Sequence, residues 1–124
     1  MWTYSAYILW KFAKKLNCDE FSFGKFARFI FDILWKEQHL SFYDGKADLF
    51  EDLKYLKKLH VIELTEEEDL EKVEIKIKDK KKLKIISGIV EDSSILTGVK
   101  LLDEYVRRIN LAIETLEKEM KGNE

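Results

Sequence analysis

The chain contains no proline, one cysteine (Cys18), two histidines (His39 and His60) and five glycines that stand singly. A lone thiol excludes an intramolecular disulfide and fits a reducing, cytoplasmic setting. The histidines lie far apart with no cysteine or carboxylate at ligand spacing, so no metal site is expected. Isolated glycines exclude a glycine-rich phosphate loop, and carboxylates occur in charge runs that read as solvated faces. No cofactor and no enzymatic activity are therefore expected. The apolar opening from Trp2 to Leu16 is broken by Lys11, Lys14 and Lys15, well short of the roughly 20 residues a membrane span needs. No signal peptide is expected either, because a basic leader and a small-residue cleavage site are both missing. A net charge of −2 gives no overall attraction to polyanions, so any such attraction must be local.

What the 124 residues do hold is aromatic area and charge in blocks. Helices are expected at about residues 3–16, 23–36 and 45–59. The first two carry Trp2, Tyr4, Tyr7, Trp10 and Phe12, then Phe23, Phe26, Phe29, Phe31 and Trp35. That exceeds one buried stripe and implies cover on two sides, most simply by the C-terminal helix. A pocket lined by Tyr7, Trp10, Phe26 and Trp35 is a further reading of the surplus, although such clusters are more often plain core. The third helix has a stripe at Leu49, Leu53 and Leu56, with Asp44 or Ser41 as cap and His60 where the chain must turn into a strand. Val73, Ile75 and Ile77 alternate with Glu74, Lys76 and Lys78, the pattern of a half-exposed strand. Leu83 to Ile86 reads as its hairpin partner after a turn at residues 79–82. Glu66 to Asp69 forms an acidic block and Lys76 to Lys84 a basic tract.

From about Ser94 to Met120 the chain reads as one long helix. Ile95, Val99, Leu102 and Val106, followed by Ile109, Ile113, Leu116 and Met120, are spaced alternately four and three apart. That heptad seam is expected to join two copies of the chain as a homodimer or coiled coil; the plainer alternative is a helix lying along its own domain. The expected division is residues 1–90 for the domain and 91–124 for this helix and a short tail.

Asp48 to Leu64, a leucine-spaced helix running into an apolar strand, resembles the recognition segment of winged helix-turn-helix regulators of bacteria and archaea. The appended helix is similar to the dimerisation helix of PadR-like members. The resemblance implies an α+β, mostly α fold: three helices, a small antiparallel sheet and a long C-terminal helix. It implies double-stranded DNA as partner and transcription regulation as function, with the third helix in the major groove. Carried over by position, base contacts fall to Tyr43, Lys46, Ala47, Glu51, Lys54 and Lys58. The loop from Thr65 to Lys72 becomes the wing, and Lys78, Lys80, Lys81 and Lys82 lie beside it. Because the helix is charge-balanced and the wing acidic, the alternative is a winged-helix module that binds a protein partner and no DNA.

Overall fold

The computed structural model describes residues 2–96 and 100–122, with side chains at 2–93 and 102–121. The chain is 72 % helical, with five helices and a three-stranded antiparallel sheet among the described residues. Helix α1 (Trp2–Leu16) leads into β1 (Glu20–Ser22). Helix α2 (residues 23–38) follows, then α3 (Lys46–Lys58), β2 (Ile62–Leu64) and β3 (Glu74–Ile77). Helices α4 (Lys80–Leu96) and α5 (Lys100–Gly122) complete the described order.

The helix starts use local chemistry. Ser22 accepts the Lys25 N–H at 3.1 Å and caps α2. Neither expected cap acts on α3, whose N-cap is Gly45. Ser41 is engaged with the Tyr43 carbonyl at 2.8 Å, and Asp48 accepts the Asp44 N–H at 3.2 Å. The helix ends follow from the shortage of glycine. Helices α1, α2 and α3 each stop at a non-glycine residue of positive φ, namely Asn17 (52°), His39 (54°) and His60 (62°). After α3 the His60 N–H bonds the Lys57 carbonyl and the Val61 N–H bonds the Leu56 carbonyl. The same pattern closes α1 through Asn17 and Cys18.

Three elements depart from the sequence reading: residues 94–96, expected to open one long C-terminal helix, instead close α4, and α5 is described from Lys100. The second partner of β3 is not the segment from Leu83 to Ile86 but β1, giving the strand order β1-β3-β2. Phe21 lies opposite Ile75, and Ile62 opposite Ile77. Leu83 to Ile86 belongs instead to α4. Asp79 accepts the Lys82 N–H at 2.9 Å and its carbonyl accepts the Leu83 N–H at 3.1 Å, which starts a helix. The buried Leu83, Ser87 and Val90 then recur at helical spacing. The expected alternation within β3 does hold: Val73, Ile75 and Ile77 are buried, while Lys76 and Lys78 are exposed.

One core joins all these layers. Tyr7, Phe12, Phe23, Phe26 and Phe29 are fully buried in it with Leu49, Leu53 and Leu56. Residues Phe29–Leu34 of α2 form a π-helical stretch. The wider turn brings Phe29, Ile30, Ile33 and Leu34 all inward, so a stripe that looked too narrow for Phe29 accommodates it. Helix α5 covers the second side through Ile109, Ala112, Ile113 and Leu116. Trp35 stays about half exposed, with its ring edge near His39.

Candidate nucleic-acid interface

Helix α3 buries Leu49, Leu53 and Leu56 and turns Lys46, Ala47, Glu51, Lys54 and Lys58 outward. Five of the six residues expected to face DNA are therefore exposed; Ala47, Glu51, Lys54 and Lys58 share the face opposite the buried stripe, while Lys46, in line with Leu49 and Leu53, is exposed at the amino end of the helix. Tyr43 does not join them. It is 7 % exposed, and its hydroxyl meets that of Ser5, which donates to Asp52 at 2.7 Å. Burial and the Asp52 charge both push the Tyr43 phenol above its ordinary range, so it stays a neutral hydrogen-bonding tether between α1 and α3.

Two of the exposed lysines, Lys46 and Lys54, are matched by carboxylates. Lys46, at the amino end of α3, forms an ion pair with Glu71, which raises the lysine pKa. Lys54 sits 2.7 Å from Glu51 and lies over the Phe50 ring. The Lys46 pair also ties α3 to the short helical turn Leu70–Lys72 in the β2–β3 connection. Gly24 makes that approach possible: a Cβ there would lie 3.0 Å from the Glu71 carbonyl oxygen. Glu66, Glu67, Glu68 and Asp69 of the connection are exposed. The amino end of α3 and the loop beside it thus present mainly acid.

The basic tract lies at the other end. Lys82 donates to the Leu59 carbonyl at 2.7 Å, just past the carboxyl end of α3, where the helix dipole favours a cation. Lys80 pairs with Asp19 at 2.7 Å, and Lys78 stands 3.7 Å from Glu63. Lys81 is exposed. The tract is the close of β3 and the first turn of α4, and it is not a hairpin edge alongside the loop. Because α3 spans about 20 Å at 1.5 Å per residue, the lysines and the acidic loop flank it from opposite ends.

The structure also assembles a polar group that has no mark in the sequence. Tyr7 donates to Glu91 at 2.9 Å and accepts from Asn110 at 3.0 Å, while Lys11 pairs with the same Glu91 oxygen at 2.9 Å. Four residues from three helices converge, and no local pattern signals such a meeting. Of the residues read as lining an aromatic pocket or as plain core, Tyr7 and Phe26 are wholly buried core and Trp35 is half exposed. A hollow of about 60 Å³ lies among Phe12, Lys25, Arg28, Phe29, Ile33, Leu116 and Glu119, and a shallow one of about 240 Å³ lies on the α3 face at Glu51, Lys54, Tyr55 and Lys58.

The C-terminal seam is largely used within the chain. Ile109, Ile113 and Leu116 are buried in the core, and Val106 packs against it. Leu102 is half-buried and Met120 is 37 % exposed. The side chain of Ile95 and the whole of Val99 fall outside the described residues. Among the described residues no group of His, Cys, Asp and Glu could hold a metal ion, and no helix is long and apolar enough to cross a membrane.

No protein-family model matches the chain, and no curated protein or solved structure matches it either. The functional reading therefore rests on topology and surface chemistry.

Proposed function

We propose that the chain is a winged helix that binds double-stranded DNA as a transcriptional regulator, with α3 as the groove-entering helix. The observation that carries this reading is the order of elements. A strand between α1 and α2 pairs with β3, β3 pairs with β2, and α2 and α3 are consecutive helices ahead of the β2–β3 loop. In that arrangement α3 keeps a whole face clear of the core, and the β2–β3 loop takes the place of a wing. Lys46, Lys54 and Lys58 supply phosphate or base-edge donors, Ala47 can approach a thymine methyl, and Glu51 can accept from a cytosine amino group.

A second reading is favoured by one specific observation. Lys46 and Lys54 are neutralised by Glu71 and Glu51, and the wing loop carries Glu66 to Asp69. A face of this kind suits a basic protein partner better than a phosphate backbone, because affinity for DNA comes largely from cations that displace its counterions.

Fluorescence anisotropy separates the two, using the duplex flanking the protein's own gene and a scrambled duplex at two salt concentrations. A DNA regulator binds the native duplex more tightly, loses affinity with salt, and loses it again in Lys54→Glu. Equal, salt-sensitive binding to both duplexes means phosphate contact without base readout. Absence of binding to either at low salt rejects the DNA reading and leaves the protein-binding module.

A further inference from the structure

Helix α4 buries Leu83, Ser87 and Val90 against the domain and turns its opposite side outward. That outward side carries Lys81, Ile85, Gly88 and Asp92, spaced four, three and four apart, with Ile89 at its margin. Ile85 and Ile89 are 55 % and 59 % exposed, more than any other large hydrophobic side chain among the described residues. Single exposed apolar residues need no explanation; two isoleucines one turn apart beside a bare glycine form a patch.

Gly88 is the second observation. It sits inside a helix of 17 residues, where glycine is the least favoured residue after proline. Nothing in the monomer requires it. Its φ is not positive, and a Cβ added there would meet nothing within 4 Å. The third observation is charge. Lys81 lies in the first turn of α4, where the helix dipole opposes a cation, and Asp92 lies eleven residues on along the same outward side. Lys80 and Lys82 are engaged by Asp19 and by the Leu59 carbonyl, but those contacts do nothing for Lys81 and Asp92.

One occupant resolves all three features. We propose that α4 pairs antiparallel with α4 of a second copy of this chain. A two-fold axis passing between Ile86 and Ser87 brings Ile85 of each copy onto the open side of Gly88 of the other. The same axis sets Lys81 opposite Asp92 twice, so each of these exposed charges finds a partner of opposite sign. This is a self-complementary surface, as a two-fold interface requires, and the a-to-d pairing of an antiparallel coiled coil. A helix about 25 Å long offers less than the roughly 800 Å² per partner of a standard interface. The dimer is accordingly weak and concentration-dependent. The inference stands whether the α3 face binds DNA or a protein.

The test is sedimentation equilibrium of the full chain from about 5 to 500 μM, the range in which a micromolar dissociation constant shows. The expected result is a monomer that passes to a dimer across this range. Ile85→Glu, at an exposed position that leaves the fold intact by circular dichroism, weakens the dimer at least tenfold. Lys81→Asp weakens it also, and combining Lys81→Asp with Asp92→Lys restores it, because the two charges exchange places. A chain that stays monomeric at every concentration overturns the proposal. So does a dimer indifferent to Ile85→Glu, or a double charge exchange that is no tighter than Lys81→Asp alone.

Discussion

His60 shows how much a single backbone angle organises here. Its φ of 62° ends α3 and turns the chain so that Val61 and Ile62 enter the core within two residues. A histidine pays for that conformation through the clash between its Cβ and the backbone, about 1–2 kcal/mol, whereas glycine does not. Glycine loses more entropy on folding, which offsets part of the gain. His60→Gly is therefore expected to stabilise the fold by on the order of 0.5 kcal/mol and to raise the thermal midpoint by a few degrees. A lower midpoint would mean that the imidazole makes a contact worth more than the strain. The position was legible in the sequence, because a leucine-spaced helix that becomes a strand without a linker must reverse at one residue. Tyr43 was not legible. Its place just before α3 suggested the surface, and only the partners on α1 and α3, Ser5 and Asp52, draw it inside.

At the scale of elements, what could be read depended on length. Helices α1, α2 and α3 lie within two residues of their expected ends, because each carries an apolar stripe over several turns. The strand β1 has three residues, too few for alternation to register, and it exists because β3 offers it an edge. Leu83 to Ile86 misled for the same reason: four residues fit both periods, and the Asp79 cap together with Val90 settles the matter only over a longer window. The heptad ladder of α5 was legible as an apolar stripe, but spacing alone does not say what covers it. Ile109 decides the point by experiment. If the seam mainly joined two copies, Ile109→Asp would leave a folded monomer; since Ile109 is fully buried in its own core, an unpaired carboxylate there is expected to cost several kcal/mol and abolish the cooperative thermal transition. Met120→Asp, on the same seam but 37 % exposed, should leave the transition nearly intact. The contact among α1, α4 and α5 has a pH signature. The hydrogen bond from Lys11, with that from Tyr7, holds Glu91 below the usual carboxylate range in spite of partial burial. A carboxylate with a depressed pKa adds stability at neutral pH, and that contribution disappears as pH falls through the carboxylate range. Glu91→Gln should accordingly unfold at lower urea than the parent at about pH 7, and the gap should narrow as pH is lowered below about 4. A gap that does not change with pH would mean that the Glu91 charge is not involved.

The whole molecule is nearly neutral, yet its charge is sorted along α3, with the acidic β2–β3 loop and Glu71 at one end and the lysines of β3 and α4 at the other. Sorting matters because the Debye length at physiological salt is about 8 Å, so a duplex lying along α3 would sense each end separately. If α3 enters a groove, the loop carboxylates stand near phosphates and lower affinity. Removing two of them, in Glu66→Gln with Glu67→Gln, should then tighten duplex binding roughly fivefold at physiological salt, from two carboxylates each about 5 Å from a phosphate in a water-like, screened medium. The same change in net charge made on the exposed side of α5, in Glu114→Gln with Glu119→Gln, should have less than about a twofold effect, because it lies beyond the screening distance. Equal effects from the two pairs would mean that duplex binding responds only to total charge and that the loop is not a wing against DNA. A loop pair that leaves DNA binding unchanged but weakens association with a basic protein would place that protein, and not a duplex, on the α3 face.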